Sequence, residues 1–135
     1  MKKKMFIPAV LLFTVLLLIK FSAGQKMNAC SYRQISAEEA AAMMTTEKNY
    51  ILLDVRTAGE YEESHIPGAL NLPNENIGTE EIPELPDKNQ LILIYCRSGT
   101  RSKQAAQKLV DSGYTNIVEF GGIRDWRGET VSGAL

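Results

Sequence analysis

The segment Leu91-Ile92-Leu93-Ile94-Tyr95-Cys96-Arg97-Ser98-Gly99-Thr100-Arg101-Ser102 decides how this 135-residue chain folds. Leu91 to Tyr95 is the strongest strand pattern in the sequence. A short apolar run with no polar alternation fits a strand buried on both faces, the central kind found in parallel sheets. The polar and small residues from Arg97 to Arg101 end it. Ser102 to Asp111 then reads as a helix whose apolar face is Ala105, Ala106, Leu109 and Val110, with Gly113 placed to terminate it. A buried strand that turns at once into a helix belongs to an α/β fold.

The same segment carries the chemistry. Its strand delivers Cys96 at a C-terminal end, where ligands of open α/β sheets bind. Gly99, with the small Ser98 and Thr100, lets the backbone curl so that successive amides point inward. Such a nest at the positive end of a helix binds anions. A sulfur at its centre is favoured as thiolate over thiol. Arg97 and Arg101 add positive charge, and the stretch from Lys88 to Lys108 holds five basic residues and no Asp or Glu. Cys96 is therefore the candidate nucleophile, and Arg97, Ser98, Gly99, Thr100, Arg101 and Ser102 are the candidate anion-binding residues. The competing assignment is an ordinary buried cysteine at a strand end, flanked by solvated arginines.

Working towards the N-terminus, residues 73–89 contain three prolines and several acids, and are expected to wrap the surface with one weak helical turn around Gly78 to Leu85. Pro67-Gly68 turns the chain into a short strand, Ala69 to Leu72. Ala58 to Ser64 reads as a short polar helix and Ile51 to Val55 as another central strand, interrupted only by Asp54. Ser36-Ala37-Glu38-Glu39 is a capping box, and it opens a helix that ends before Asn49. Tyr32 to Ile35 can form an edge strand. On the other side, Ile117 to Phe120 is the last strand, followed by Gly121-Gly122 and a short helix carrying Trp126. Strands and helices alternate throughout, which argues for a parallel sheet with helices on both faces.

The first residues read differently. Lys2, Lys3 and Lys4 precede an apolar run from Phe6 to Ile19, and Ser22, Ala23 and Gly24 follow, the layout of an export signal. Residues 1–24 are thus expected to be a signal peptide or a membrane anchor, with a linker at 25–31, the folded domain at 32–130 and a tail at 131–135. Three fates stay open: cleavage after Gly24, lipidation at Cys30, or retention as an anchor. Each places the domain outside the cytoplasm. Four of the 15 basic residues and none of the 16 acidic ones lie in residues 1–24, which leaves the remainder at −5. That charge disfavours nucleic acid as a partner, while the local basic segment suits a small anion. With one histidine, His65, and two cysteines outside any Cys-x-x-Cys, there is little support for a metal site. A Cys30–Cys96 disulfide is disfavoured because Cys30 sits in the linker.

The loop resembles the active-site loop of the rhodanese family, in its Cys-Arg-Ser-Gly-x-Arg-Ser form. Leu53-Asp54-Val55-Arg56 resembles the family's Asp-Val-Arg signature. Glu60-Tyr61 followed by His65-Ile66-Pro67-Gly68-Ala69, and Gly121-Gly122-Ile123 with Trp126, resemble two more of its motifs in the same order. The likeness spans about residues 32–130. One departure follows Trp126, where Gly128-Glu129-Thr130 replaces the family's usual Gly-aromatic-Pro.

This resemblance implies a five-stranded parallel sheet flanked by helices and a sulfurtransferase working through a persulfide on Cys96. It implies a small anionic donor such as thiosulfate, a thiol or cyanide as acceptor, and no cofactor. Asp54, Arg56 and His65 are implied as framework near the site: an ion pair and a hydrogen-bonding histidine. Three other classes compete. Phosphatases and arsenate reductases of the related fold have a longer Cys-x5-Arg loop, whereas Cys96 to Arg101 is Cys-x4-Arg. A non-enzymatic sulfur-binding or partner-binding module is the second, although silent members usually lack the cysteine. Thiol–disulfide exchange, the third, wants a second cysteine nearby.

Overall fold

The computed structural model describes residues 31–134. The expectations for residues 1–24 and for Cys30 fall outside them. Five parallel strands, β1 (Arg33–Gln34), β2 (Tyr50–Asp54), β3 (Leu70–Asn71), β4 (Leu91–Cys96) and β5 (Ile117–Gly122), form one sheet in the order β1-β5-β4-β2-β3. Three helices accompany them: α1 (Ala37–Thr46), α2 (Ala58–Glu63) and α3 (Thr100–Asp111). The fold is the expected α/β sheet with helices on both faces.

Strand periodicity divides the core in two. From β4, Ile92, Ile94 and Cys96 point to one face, where they meet Ala105, Ala106 and Leu109 of α3. Leu93 and Tyr95 point to the other, against Ala37 and Ala40 of α1 and Tyr61 of α2. Both faces of the strand are covered, which is why its sequence shows no polar alternation. The chain leaves β2 for the α2 face and β4 for the α3 face, and these two strands are neighbours. A crevice between adjacent strands whose connections diverge is where open α/β sheets bind ligands. Cys96 stands at its rim.

Local signals worked as physics requires. Ser36 caps α1, its Oγ accepting the Glu39 amide at 3.0 Å. Thr57 does the same for α2 through Glu60, at 3.2 Å. Several expectations are corrected. Helix α3 begins at Thr100 rather than Ser102, because Gly99 adopts φ +107° and brings the chain straight into the helix. The weak helical turn at Gly78 to Leu85 is absent. A 3-10 turn forms at Asn74–Asn76 instead, since Pro83 cannot extend a helix through the later segment. Residues 73–89 also do more than wrap the surface, for Ile77, Ile82 and Leu85 are buried against the α3-side core.

The last strand runs two residues further than its apolar pattern. Ile94 pairs with Glu119 but Cys96 with Gly122, so β5 holds one extra residue there. Gly121, at φ +84°, lies in this bulge. A 3-10 turn at Ile123–Asp125 follows, and Trp126, just beyond it, packs on Phe120 with ring centroids 6.2 Å apart. The following residues are tied back to the domain. His65 and Val131 exchange backbone hydrogen bonds of 2.8 and 2.9 Å, and the Gly133 amide donates to Glu62 at 2.8 Å.

Candidate functional site

The loop after β4 closes on the sulfur of Cys96, a free thiol 1% exposed. The Gly99 N–H donates to Sγ at 3.0 Å. Two glycines make that closure possible. Gly99 supplies the left-handed turn that aims its amide back at the strand end. Gly122, opposite Cys96 on β5, has no room for a side chain, because a methyl group there would overlap the Arg97 carbonyl. The loop therefore rests directly on the β5 backbone, and the Arg124 amide donates to the Arg97 carbonyl at 3.3 Å.

Burial alone pushes the Cys96 thiol pKa up. The Ser102 hydroxyl and the amides of Ser102, Gly99 and Ser98 outweigh it, and the net effect lowers the pKa below the ordinary thiol range. These amides belong to a loop and a helix start, so they supply partial positive charge without a bound cation. Ser102 is fully buried. As the third residue of α3 its hydroxyl points back into the loop, 3.4 Å from Sγ and 3.0 Å from the Gly99 carbonyl.

Of the two arginines, one is placed otherwise than its sequence surroundings suggest. Arg101 is engaged by Glu60 of α2, its Nη1 and Nη2 lying 2.8 and 3.0 Å from the two carboxylate oxygens. The absence of acidic residues between Lys88 and Lys108 did not keep carboxylates away, because α2 packs across the crevice 41 residues earlier in sequence. The hydrogen bond from Arg101 holds the Glu60 carboxyl below the usual range. This pair joins the start of α3 to α2 and braces the two sides of the crevice. Arg97 is exposed, and among the described residues it has no salt bridge.

Asp54, Arg56 and His65 form a separate set on the α2 side. Arg56 clasps the fully buried Asp54 through Nε at 3.0 Å and Nη2 at 2.7 Å, and Nη2 also donates to the Ser64 carbonyl at 2.6 Å. The Tyr95 ring lies over the guanidinium, and burial together with Asp54 pushes the Tyr95 phenol well above its normal pKa. His65 stacks on Tyr61 at 3.7 Å, with Nδ1 2.8 Å from the Tyr61 carbonyl. Each of these groups is spent on holding the ends of β2 and α2.

The site also holds a buried residue outside the expected set. Glu119 of β5 is 2% exposed. Its Oε1 lies 2.6 Å from Ser102 Oγ and accepts the Gly121 amide at 2.7 Å. The signal was present: an acid inside an apolar strand, at the same parity as Ile117, must face the core and find partners.

A sulfur ringed by amides at the end of a central parallel strand defines the class, and comparison with known proteins agrees. The rhodanese-like domain matches residues 36–129, and the chain belongs to this family. It is 36% identical over 73 residues to the thiosulfate sulfurtransferase PspE of Escherichia coli, covering 54% of this chain and 70% of that one. It is 35% identical over 97 residues to the thiosulfate sulfurtransferase GlpE of Coxiella burnetii, covering 71% and 88%. The solved structure of a rhodanese with anions from E. coli superposes with TM-score 0.57 at 35% identity, covering 62% of this chain and all but a small part (99% covered) of that one. Relatives so named support a sulfurtransferase.

Proposed function

We propose that this protein moves sulfane sulfur from thiosulfate or a similar anionic donor to a thiophilic acceptor through a persulfide on Cys96. The observation that carries it is the Gly99 amide 3.0 Å from a sulfur on which the neighbouring amides of Ser98 and Ser102 also act. Fixed donors of this kind stabilise a sulfur anion before and after reaction, with no reorganisation between.

In the first half-reaction the Cys96 thiolate attacks the outer sulfur of the donor. A new S–S bond forms at Cys96, the donor's S–S bond breaks, and sulfite leaves with the electron pair. The product is an anionic Cys96 persulfide, held by the same amides. In the second, cyanide or a thiolate attacks the outer sulfur, the persulfide S–S bond breaks, and the electron pair returns to Cys96 as thiolate. This is two-step covalent catalysis with one nucleophile. Arg97, exposed at the loop, draws the anionic donor, while Ser98, Thr100 and Ser102 shape the hollow. The Arg101 charge is shared with Glu60, so its contribution runs through loop position more than donor binding. Asp54, Arg56 and His65 hold the framework.

The proposed placement is extracytoplasmic, with residues 1–24 as export signal or anchor, which rests on their charge and apolar pattern. Protease protection in intact bacterial cells tests it, since a domain found soluble in the cytoplasm with Met1 attached contradicts export. Replacing Cys30 by Ala releases the protein from the membrane only if Cys30 is lipidated. For the chemistry, the test is intact mass. Thiosulfate adds one sulfur atom to the wild type, cyanide removes it, and C96S gains none.

A further inference from the structure

The two sides of the crevice are joined by a pair whose shape matters as much as its charge. Glu60 meets Arg101 fork to fork, with Nη1 2.8 Å from Oε1 and Nη2 3.0 Å from Oε2. A guanidinium offers this same edge to any oxyanion that presents two oxygens. Glu60 therefore occupies the contact that the oxygens of a small anionic donor would otherwise take. The pair is open to solvent, since the Arg101 and Glu60 side chains are 30% and 31% exposed. It also adjoins the reacting centre. Arg101 directly precedes Ser102, whose hydroxyl lies 3.4 Å from Sγ, and the charge of Cys96 acts on the Arg101 guanidinium.

Glu60 is the fixed member of the pair. Its amide donates to Thr57 Oγ1 at 3.2 Å, and the Thr57 hydroxyl reaches Oε1 at 3.4 Å, so the cap of α2 holds the carboxylate where it is. Arg101 is its one ion-pair partner among the described residues. A competitor held at one place in the same molecule is always present, and an anion from solution has to displace it.

We propose that Glu60 is a specificity-determining residue: it competes with oxyanions for the Arg101 fork, so that the loop keeps sulfane donors and lets plain oxyanions go. This deepens the sulfurtransferase reading and rests on it. Thiosulfate and sulfate present the same kind of oxygens to the fork, but only thiosulfate brings a sulfur that Cys96 can capture. Weakening the shared oxygen contact takes from sulfate its main hold, while the donor keeps the S–S bond it forms. Sulfite, the leaving product, is released for the same reason. A tight oxyanion grip would hold donor and product alike, lowering KM without raising kcat. Glu60 touches neither donor nor sulfur; it acts through Arg101 and is a positioning residue.

The test reads anion binding apart from sulfur transfer. In the full chain, iodoacetamide alkylation of Cys96 is followed against sulfate concentration, with ionic strength held constant by sodium chloride. Peptide mass locates the adduct, so Cys30 does not contribute. E60Q should be half-protected at about fivefold less sulfate than wild type, the size expected when a partly exposed pair is removed. E60A, which leaves no acceptor for Arg101, should do the same, and it decides the matter should E60Q fail to fold. In an R101A background the Glu60 substitution should shift protection less than about twofold, since only weak through-solvent repulsion remains. In turnover, E60Q should show a lower KM for thiosulfate, no gain in kcat and stronger inhibition by sulfite. Sulfate protection unchanged or weaker in both Glu60 variants overturns the proposal and leaves the pair a brace. A shift of equal size in the R101A background also overturns it, because the effect then bypasses Arg101. Mass gain from thiosulfate on the same preparations without sulfate separates either failure from failure of the sulfurtransferase reading.

Discussion

The ends of β2 and β4 lie side by side, yet their buried polar groups are arranged on opposite principles. At β2, Asp54 faces a cation of its own, Arg56, and the pair is closed by Nε and Nη2 contacts of 3.0 and 2.7 Å. At β4, Cys96 is closed into no ion pair among the described residues. It has backbone amides and a serine hydroxyl. A satisfied ion pair has nothing left to offer a ligand. A sulfur facing several fixed dipoles can accept negative charge again and again as bonds at it form and break. Partner saturation, more than burial, separates framework from site in this molecule.

The largest effect should come from breaking the saturated side. Asp54→Ala leaves the Arg56 guanidinium buried and unpaired, 5% exposed, and removing one partner of such a pair costs about 3–5 kcal/mol. Urea melts of D54A should show that loss, while any protein remaining folded still alkylates at Cys96. Loss of Cys96 reactivity at unchanged stability would mean that Asp54 belongs to the site.

The unsaturated side is sharpened by pH. The Cys96 pKa is lowered in the fold, so the thiolate persists below the ordinary thiol range and is lost as pH falls through the folded value. By linkage, the stability it contributes is present above the unfolded thiol pKa and disappears over the same descent. At pH 7, Cys96 should alkylate faster in the native protein than in the urea-unfolded chain. Equal or slower reaction would show that burial wins over the amides.

A smaller contrast separates the arginines. Arg97→Ala should raise KM for thiosulfate, roughly tenfold at low salt and less as salt screens the charge. Arg101→Ala should show a weaker salt dependence, since its charge is already shared with Glu60. Smallest of all, Glu60→Gln should cost at most about 1 kcal/mol, as a partly exposed pair does. The Glu60 pKa is depressed by Arg101, so this contribution exists above the unfolded carboxylate pKa and is lost as pH falls through the folded one. Equal melting of wild type and E60Q below that range checks the sign.

What was legible in the sequence follows physical range. The β4 run, the Ser36 cap and the apolar face of α3 are set by neighbours within a few residues, and they could be read directly. Cys96 stood out because strand, loop and helix lie consecutively. The start of α3 at Thr100, two residues before the expected Ser102, is decided by the φ of Gly99, which no local pattern specifies. The core role of Ile77, Ile82 and Leu85 was hidden by a segment without periodicity. Glu60 against Arg101 and Glu119 against Ser102 are contacts 41 and 17 residues apart. Nothing local announces them, although an acid inside each of two central strands, Asp54 and Glu119, was a visible demand for a partner. Asp54 found a cation, and Glu119 found a hydroxyl.

The central claim is that the β4 loop is built to hold one sulfur anion on Cys96. Intact mass of the full chain after thiosulfate, then after cyanide, tests it most directly, with aryl phosphate hydrolysis measured on the same sample. The account predicts a gain of one sulfur atom that cyanide removes, no gain in C96S with its fold retained, and negligible phosphate hydrolysis. Sulfur uptake persisting in C96S, or phosphate hydrolysis as the dominant activity, would contradict it.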